Sequence, residues 1–175
     1  MKECVFAAAL ALLMLSASAG VGLGDGSGDP APVKDDNGKY YDKDGNPTFK
    51  VQADGTVDWY TYSGFRRYHS ECHVCHGPDG EGSTYAPALK DSLKTLGYAD
   101  FTAIAIGGRK NVNTASENVM PAFGTNPNVM CYLDDIYVYL RARADGAWGR
   151  GRPPKHEDKS AAATTAENTC MGTKP

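Results

Sequence analysis

The sequence lacks any run of the roughly 20 apolar residues that a membrane-crossing helix needs, which excludes a spanning segment. It also lacks an excess of basic charge: 18 lysines and arginines stand against 21 acidic residues, for a net charge of −3. Nucleic-acid binding wants a basic face against phosphate, so this balance argues against nucleic acid as a partner. Cysteine is scarce, five in 175 residues, and no internal repeat is visible. At 41% apolar the chain is not disordered throughout, and its length suits one domain.

What is present begins with an export pattern. Lys2 supplies a positive start, Val5 to Leu15 is uninterruptedly apolar, and Ala17-Ser18-Ala19 offers small residues for cleavage. Residues 1–19 therefore read as a signal peptide, which implies a periplasmic protein. Its removal takes Cys4 with it and leaves Cys72, Cys75, Cys131 and Cys170, an even number compatible with an oxidising compartment. Residues 20–38, rich in Gly, Ser, Asp and Pro, read as a flexible leader. Residues 39–62 form an N-terminal extension of short β-prone pieces, with Asp44-Gly45 and Asp54-Gly55 as turns, the second a hairpin signal. The acidic clusters Asp35/Asp36/Asn37 and Asp42/Asp44/Asn46 lack the twelve-residue loop closed by a glutamate that calcium would use, so ordinary turns are expected.

Three helical segments follow. Ser63 is the expected N-cap of the first, with Phe65, Tyr68 and Cys72 on its inner face. The second runs from about Tyr98 to Ile106 and stops at Gly107-Gly108. The third is capped by Asn126, with Pro127 in its first turn and an apolar stripe of Val129, Met130, Leu133, Ile136, Tyr137 and Leu140. Residues 144–175 are Gly, Pro, Ala, Thr and charge, a composition that reads as a loose tail. Three short helices with long loops make a poor core unless something else fills the middle.

Cys72-His73-Val74-Cys75-His76 indicates what that is. On a helix Cys72, Cys75 and His76 stand at i, i+3 and i+4 and project from one face. This is the pattern of c-type haem attachment, in which two thiols bond the macrocycle edge and the following histidine binds iron. Zinc would want four ligands, yet the other cysteines are isolated and His156 lies in the tail. A thioredoxin-like pair would want a βαβ context that is missing. His69 and His73 fall outside the pattern and read as surface or supporting residues.

A second iron ligand decides the function. After the leader the methionines are Met120, Met130 and Met171. Pro121 biases Met120 towards an extended loop that could lay its sulfur over the haem. Met130 belongs to the apolar stripe, where methionine fills gaps, and Met171 has little to position it. His/Met ligation raises the iron potential and leaves no open position, which describes a carrier better than a catalyst.

With Tyr85-Ala86-Pro87-Ala88-Leu89, Gly107-Gly108-Arg109 and Met120-Pro121-Ala122-Phe123, the chain from about Ser63 to Arg143 resembles a class I cytochrome c. The resemblance implies an all-α fold for residues 63–143, flanked by a β-hairpin-like extension and a long irregular C-terminal wrap. It implies one covalent haem c, with His76 and Met120 as axial ligands. It makes Pro87 the acceptor of the hydrogen bond from His76, a contact that would fix the imidazole tautomer. Arg109 becomes a candidate partner for a haem propionate.

Tyr60-Thr61-Tyr62-Ser63-Gly64-Phe65-Arg66-Arg67-Tyr68-His69 and Met130-Cys131-Tyr132-Leu133-Asp134-Asp135-Ile136-Tyr137 are similar to the four-cysteine cytochromes of methanol metabolism. Those resemble the electron acceptors of PQQ-dependent, particularly lanthanide-type, methanol dehydrogenases. The implied role is a monomeric periplasmic one-electron carrier, passing electrons to another cytochrome c or an oxidase. A cytochrome for another dehydrogenase, a haem peroxidase and a haem-based gas sensor are the alternatives. Docking is expected around Cys72–Gly77 and the Ala122-Phe123 loop, with Arg66, Arg67, Arg109 and Lys110 as candidate charged contacts. Once haem takes Cys72 and Cys75, only Cys131 and Cys170 are left to pair, and that disulfide would tether the tail.

Overall fold

In a computed structural model that describes residues 28–112 and 117–173, helix α1 (Trp59–Glu71) starts where the Asp58 carboxylate accepts the Thr61 amide at 2.8 Å. The expected cap at Ser63 is therefore corrected. A carboxylate five residues earlier already caps the free amides, and Ser63 sits inside the helix, its hydroxyl donating to Asp135 at 2.6 Å. Helix α2 (His73–His76) follows after a brief break at Cys72. A 3₁₀ turn (Pro78–Gly80) and α3 (Leu89–Ser92) lead to α4 (Tyr98–Gly107), which ends at Gly108 in a left-handed conformation.

The apolar stripe expected as one helix is two: α5 (Pro127–Met130), capped by Asn126, and α6 (Leu133–Asp145). The break falls at Cys131 and Tyr132. There Cys131 forms a disulfide and the Arg67 guanidinium lies 3.5 Å above the Tyr132 ring. Helices α1 and α6 cross so closely that a Cβ on Gly64 would sit 1.8 Å from the Asp135 carbonyl oxygen and 2.8 Å from Tyr139 Cβ. Around that crossing Tyr68, Leu93, Phe101, Val129, Leu133, Ile136, Tyr137, Tyr139 and Leu140 form the buried core.

Two small sheets accompany the helices, one in the extension and one within residues 63–143, where an all-α core is expected. The extension is a three-stranded antiparallel sheet, β1 (Lys34–Asp36), β2 (Lys39–Tyr41) and β3 (Pro47–Thr48), rather than a hairpin. Asn37 and Gly38 both take positive φ in its first turn, as a tight hairpin demands. β4 (Arg109–Val112) and β5 (Glu117–Met120) pair antiparallel, with Arg109 opposite Met120. Asp42 caps its own turn through the Asp44 and Asn46 amides, and among the described residues no group of three His, Cys, Asp or Glu side chains could hold a metal ion.

The loose tail is corrected as well. Residues beyond 150 run along Val57, whose amide donates to Lys155 and whose carbonyl accepts the Glu157 amide, and the His156 ring stacks on Tyr62 at 3.7 Å. Helix α7 (Ala161–Met171) follows, capped by Ser160 and closed by left-handed Gly172. Alanines make good helix when capped, which the composition of the whole tail concealed. The signal peptide and residues 20–27 of the leader lie outside the described residues.

Candidate functional site

The site is built where α1 runs out. The amides of Cys75 and His76 both donate to the Cys72 carbonyl, closing one helical turn that carries all three side chains. Cys131 and Cys170 are bonded to each other, with Cα atoms 5.6 Å apart, whereas Cys72 and Cys75 are free thiols. Burial, with Glu71 adding to it, pushes the Cys72 thiol up to about 12, so it is no low-pKa redox nucleophile.

His76 is 7% exposed, and its Nδ1 donates to the Pro87 carbonyl at 2.9 Å. The acceptor is a carbonyl, so Nδ1 carries the hydrogen and Nε2 is left with the lone pair that a metal needs. The loop between the two residues is tightly folded. Gly82 donates its amide to the His76 carbonyl at 2.7 Å, and the Tyr68 hydroxyl donates to the Gly77 carbonyl at 2.6 Å. A Cβ on Gly77, already at φ +72°, would come 2.2 Å from the Gly82 carbonyl oxygen.

Met120 ends β5, half-buried. The loop after it is fixed to the end of α4: Phe123 and Gly124 donate their amides to Ala105 and Ile106. At Gly108 a Cβ would stand 2.7 Å from the Met120 carbonyl oxygen, so only glycine lets the chain pass so close. Arg109 is exposed and shares its register position with Met120. Half-buried Cys72, Leu89, Leu96, Tyr98, Phe123 and Met130 are among the apolar side chains that pack against the core without being enclosed by it. A planar apolar macrocycle fits this set. It would cover incompletely buried apolar surface, meet two free thiols on one helical turn, and find an imidazole whose remaining nitrogen is a lone pair.

Of the charges named above, Arg67 is occupied over Tyr132, while Arg66, Arg109 and Lys110 are exposed. Sequence reasoning missed Asp79, Glu81 and Arg143, which brace the loop after His76. Arg143 donates to the Asp79 carbonyl at 3.0 Å and pairs with Glu81 at 2.7 Å. No spacing signal marks such residues, because their partners lie 62 to 64 positions apart in sequence.

No protein-family profile matches the chain. It is 58% identical over 143 residues to cytochrome c-553I of Paracoccus denitrificans, covering 82% of this chain and 63% of that protein. It is 39% identical over 100 residues to cytochrome c-555 of Methylococcus capsulatus, covering 57% of this chain and 75% of the relative. Among solved structures it matches the c-type cytochrome XoxG of Methylobacterium extorquens AM1 at 62% identity with a TM-score of 0.75, over 81% of this chain and 86% of that one.

Proposed function

The chain belongs to the class I c-type cytochromes, and from that premise we propose that it is a periplasmic carrier taking single electrons from a PQQ-dependent methanol dehydrogenase and delivering them to the respiratory chain. It is an electron-transfer protein rather than an enzyme, and its cofactor is covalently bound haem c. When bound, that group supplies reversible one-electron exchange at its iron.

In our reading the residues act as follows. Cys72 and Cys75 hold the haem through thioether bonds. His76 presents Nε2 to the iron, and the Pro87 carbonyl fixes its tautomer and raises its basicity. Met120 would supply the second iron ligand, from the end of β5 and just before a loop whose backbone is fixed to α4. The observation that carries this reading is the His76–Pro87 bond, on the same helical turn as a pair of unbridged cysteines.

Exposed apolar side chains support a docking face at the same place. Val74 is 78% exposed, Tyr85 77% and Val119 53%, each within two residues of a proposed haem-site residue. Such residues at a redox face suit a transient partner. The dehydrogenase itself rests on the four-cysteine resemblance.

Stopped-flow reduction of the ferric protein by a PQQ methanol dehydrogenase with methanol present tests the assignment. Rapid, saturable reduction is expected; reduction no faster than that of an unrelated cytochrome c would overturn the partner. A pyridine haemochrome spectrum lacking two thioether links would overturn the attachment.

A further inference from the structure

Asp79 is a buried charge beside the site that the electron-transfer reading leaves without a role. It lies three residues after His76, at φ 57° and ψ 20° in the 3₁₀ turn, and is 5% exposed. Its Oδ1 accepts from the Tyr139 hydroxyl at 3.2 Å and the Gly151 amide at 3.1 Å, and Arg150 Nε lies 3.6 Å from Oδ2. With Arg143 on its carbonyl, Asp79 ties the loop that follows His76 to α6 and to the tail.

A further neighbour is His69, three residues before Cys72 on α1. His69 Nδ1 lies 2.8 Å from the Phe65 carbonyl, an acceptor only, so Nδ1 carries a hydrogen. Nε2 then faces two groups with opposite demands: the Asp79 amide at 3.3 Å and the Asp79 Oδ1 at 3.4 Å. A neutral ring accepts from the amide. A protonated ring donates to the carboxylate. It cannot do both at once, so the ring has two states, each matched to one partner on the same residue.

We infer that His69 is a redox-linked proton site, with Asp79 the positioning residue through which its protonation reaches the loop behind His76. This rests on His76 as the iron ligand. Reduction takes one electron from the donor and removes one positive charge from the site, so His69 holds its proton more tightly in the ferrous protein. The proton comes from solvent, to which the His69 side chain is 24% exposed, and forms the Nε2–H bond.

On protonation the ring gives up the Asp79 amide for the carboxylate. The amide belongs to the turn whose next residues reach the His76 carbonyl through Gly82 and the Cys75 carbonyl through Ser83. Other titratable or charged groups facing the pair are Tyr139 and Arg143 from α6, Arg150 from the tail, Tyr68 from α1 and His73 from α2, with Glu81 behind Arg143. The cations are already placed against Asp79 or Glu81, which leaves His69 as the group whose bonding pattern inverts on protonation.

The test is the midpoint potential of the haem-loaded protein between about pH 5 and 8, together with NMR titration of the His69 ring in both oxidation states. The potential is expected to fall as pH rises across a window bounded by two His69 pKa values, the ferrous one higher. In His69→Gln that dependence is expected to be lost, with haem stoichiometry and the low-spin spectrum unchanged, while His73→Gln retains it. A dependence that survives intact in His69→Gln overturns the proposal. So does a wild-type His69 pKa that is equal in the two states, a measurement independent of whether the variant folds. A high-spin spectrum of the wild type would instead remove His76 or Met120 as a ligand, and so separates the two failures.

Discussion

At the scale of single residues, one hydrogen bond orients the site. His76 Nδ1–H to the Pro87 carbonyl commits one ring nitrogen and leaves Nε2 as the one that could bind a metal. Met120 is the complementary test. Met120→Ala is expected to open one iron position, so that the ferrous variant binds CO at neutral pH while the wild type does not, and to lower the reduction potential. CO difference spectra check the first outcome and potentiometry the second. A second residue-scale prediction concerns Asp135, buried under the α1–α6 crossing. Burial pushes its carboxyl up to about 7, opposed by the Ser63 hydroxyl and Lys39, and burial likewise pushes Asp58 up to about 6. Both folded values lie above the unfolded value of about 3.9. Between about pH 4 and 7 the folded chain therefore binds more protons than the unfolded one, and the contribution of these groups to stability falls as pH rises through that window. Asp135→Asn is expected to flatten that slope in urea unfolding at a series of pH values, while tolerating the Ser63 hydroxyl as a partner.

At the scale of elements, the molecule is held by cross-links between segments far apart in sequence. The Cys131–Cys170 disulfide closes a separation of 39 residues and fastens α7 against the α5–α6 break. A loop of that size is worth roughly 4 kcal/mol in the chain-entropy view. Cys170→Ser is expected to lower stability by about 2–4 kcal/mol, to make α7 sensitive to protease, and to leave the haem attached. Limited proteolysis with mass spectrometry reads all three, and a variant whose α7 is as resistant as the wild type would contradict it. A second cross-link is ionic. Arg141, fully buried on α6, pairs with Asp42 at 2.8 Å and donates to the carbonyls of Pro47 and Asp29. It joins the N-terminal sheet to the helix at the centre of the core. Lys39 to Asp134, with Tyr98 donating to the same carboxylate, adds a third link from that sheet to α6 and α4.

At the scale of the whole molecule, the charge balance and the exposed apolar residues divide the work of recognition. A net charge of −3 supports little long-range steering by itself, so in the proposed complex the docking contribution is expected from Val74, Tyr85 and Val119, all exposed. Val74→Asp is expected to change stability by less than about 0.5 kcal/mol, since the side chain is exposed. It is expected to slow reduction by the dehydrogenase about tenfold, the effect of losing about 1.4 kcal/mol at an interface. Stopped-flow rates at low and high salt, with the potential measured in parallel, separate a docking effect from a change in driving force.

The sequence by itself determined the chemistry of the site, because that chemistry is local. Cys72, Cys75 and His76 fall within five consecutive residues, and helical spacing is enough to put them on one turn. Pro127, Asn126 and the apolar stripe likewise declare a helix start, since capping and periodicity are properties of neighbours. Tertiary structure decided what depends on distant partners. Ser63 has the chemistry of a cap, but Asp58 does the capping because its carboxylate is buried against Lys50 and Thr61. Arg141 is buried only because Asp42, Pro47 and Asp29, about a hundred residues away, fold over it. His156 and α7 read as loose tail until Val57, Tyr62 and Cys131 supply their partners. The two-sided environment of His69 exists only because the loop after His76 returns Asp79 to α1, ten residues along the chain, and no local pattern encodes that return.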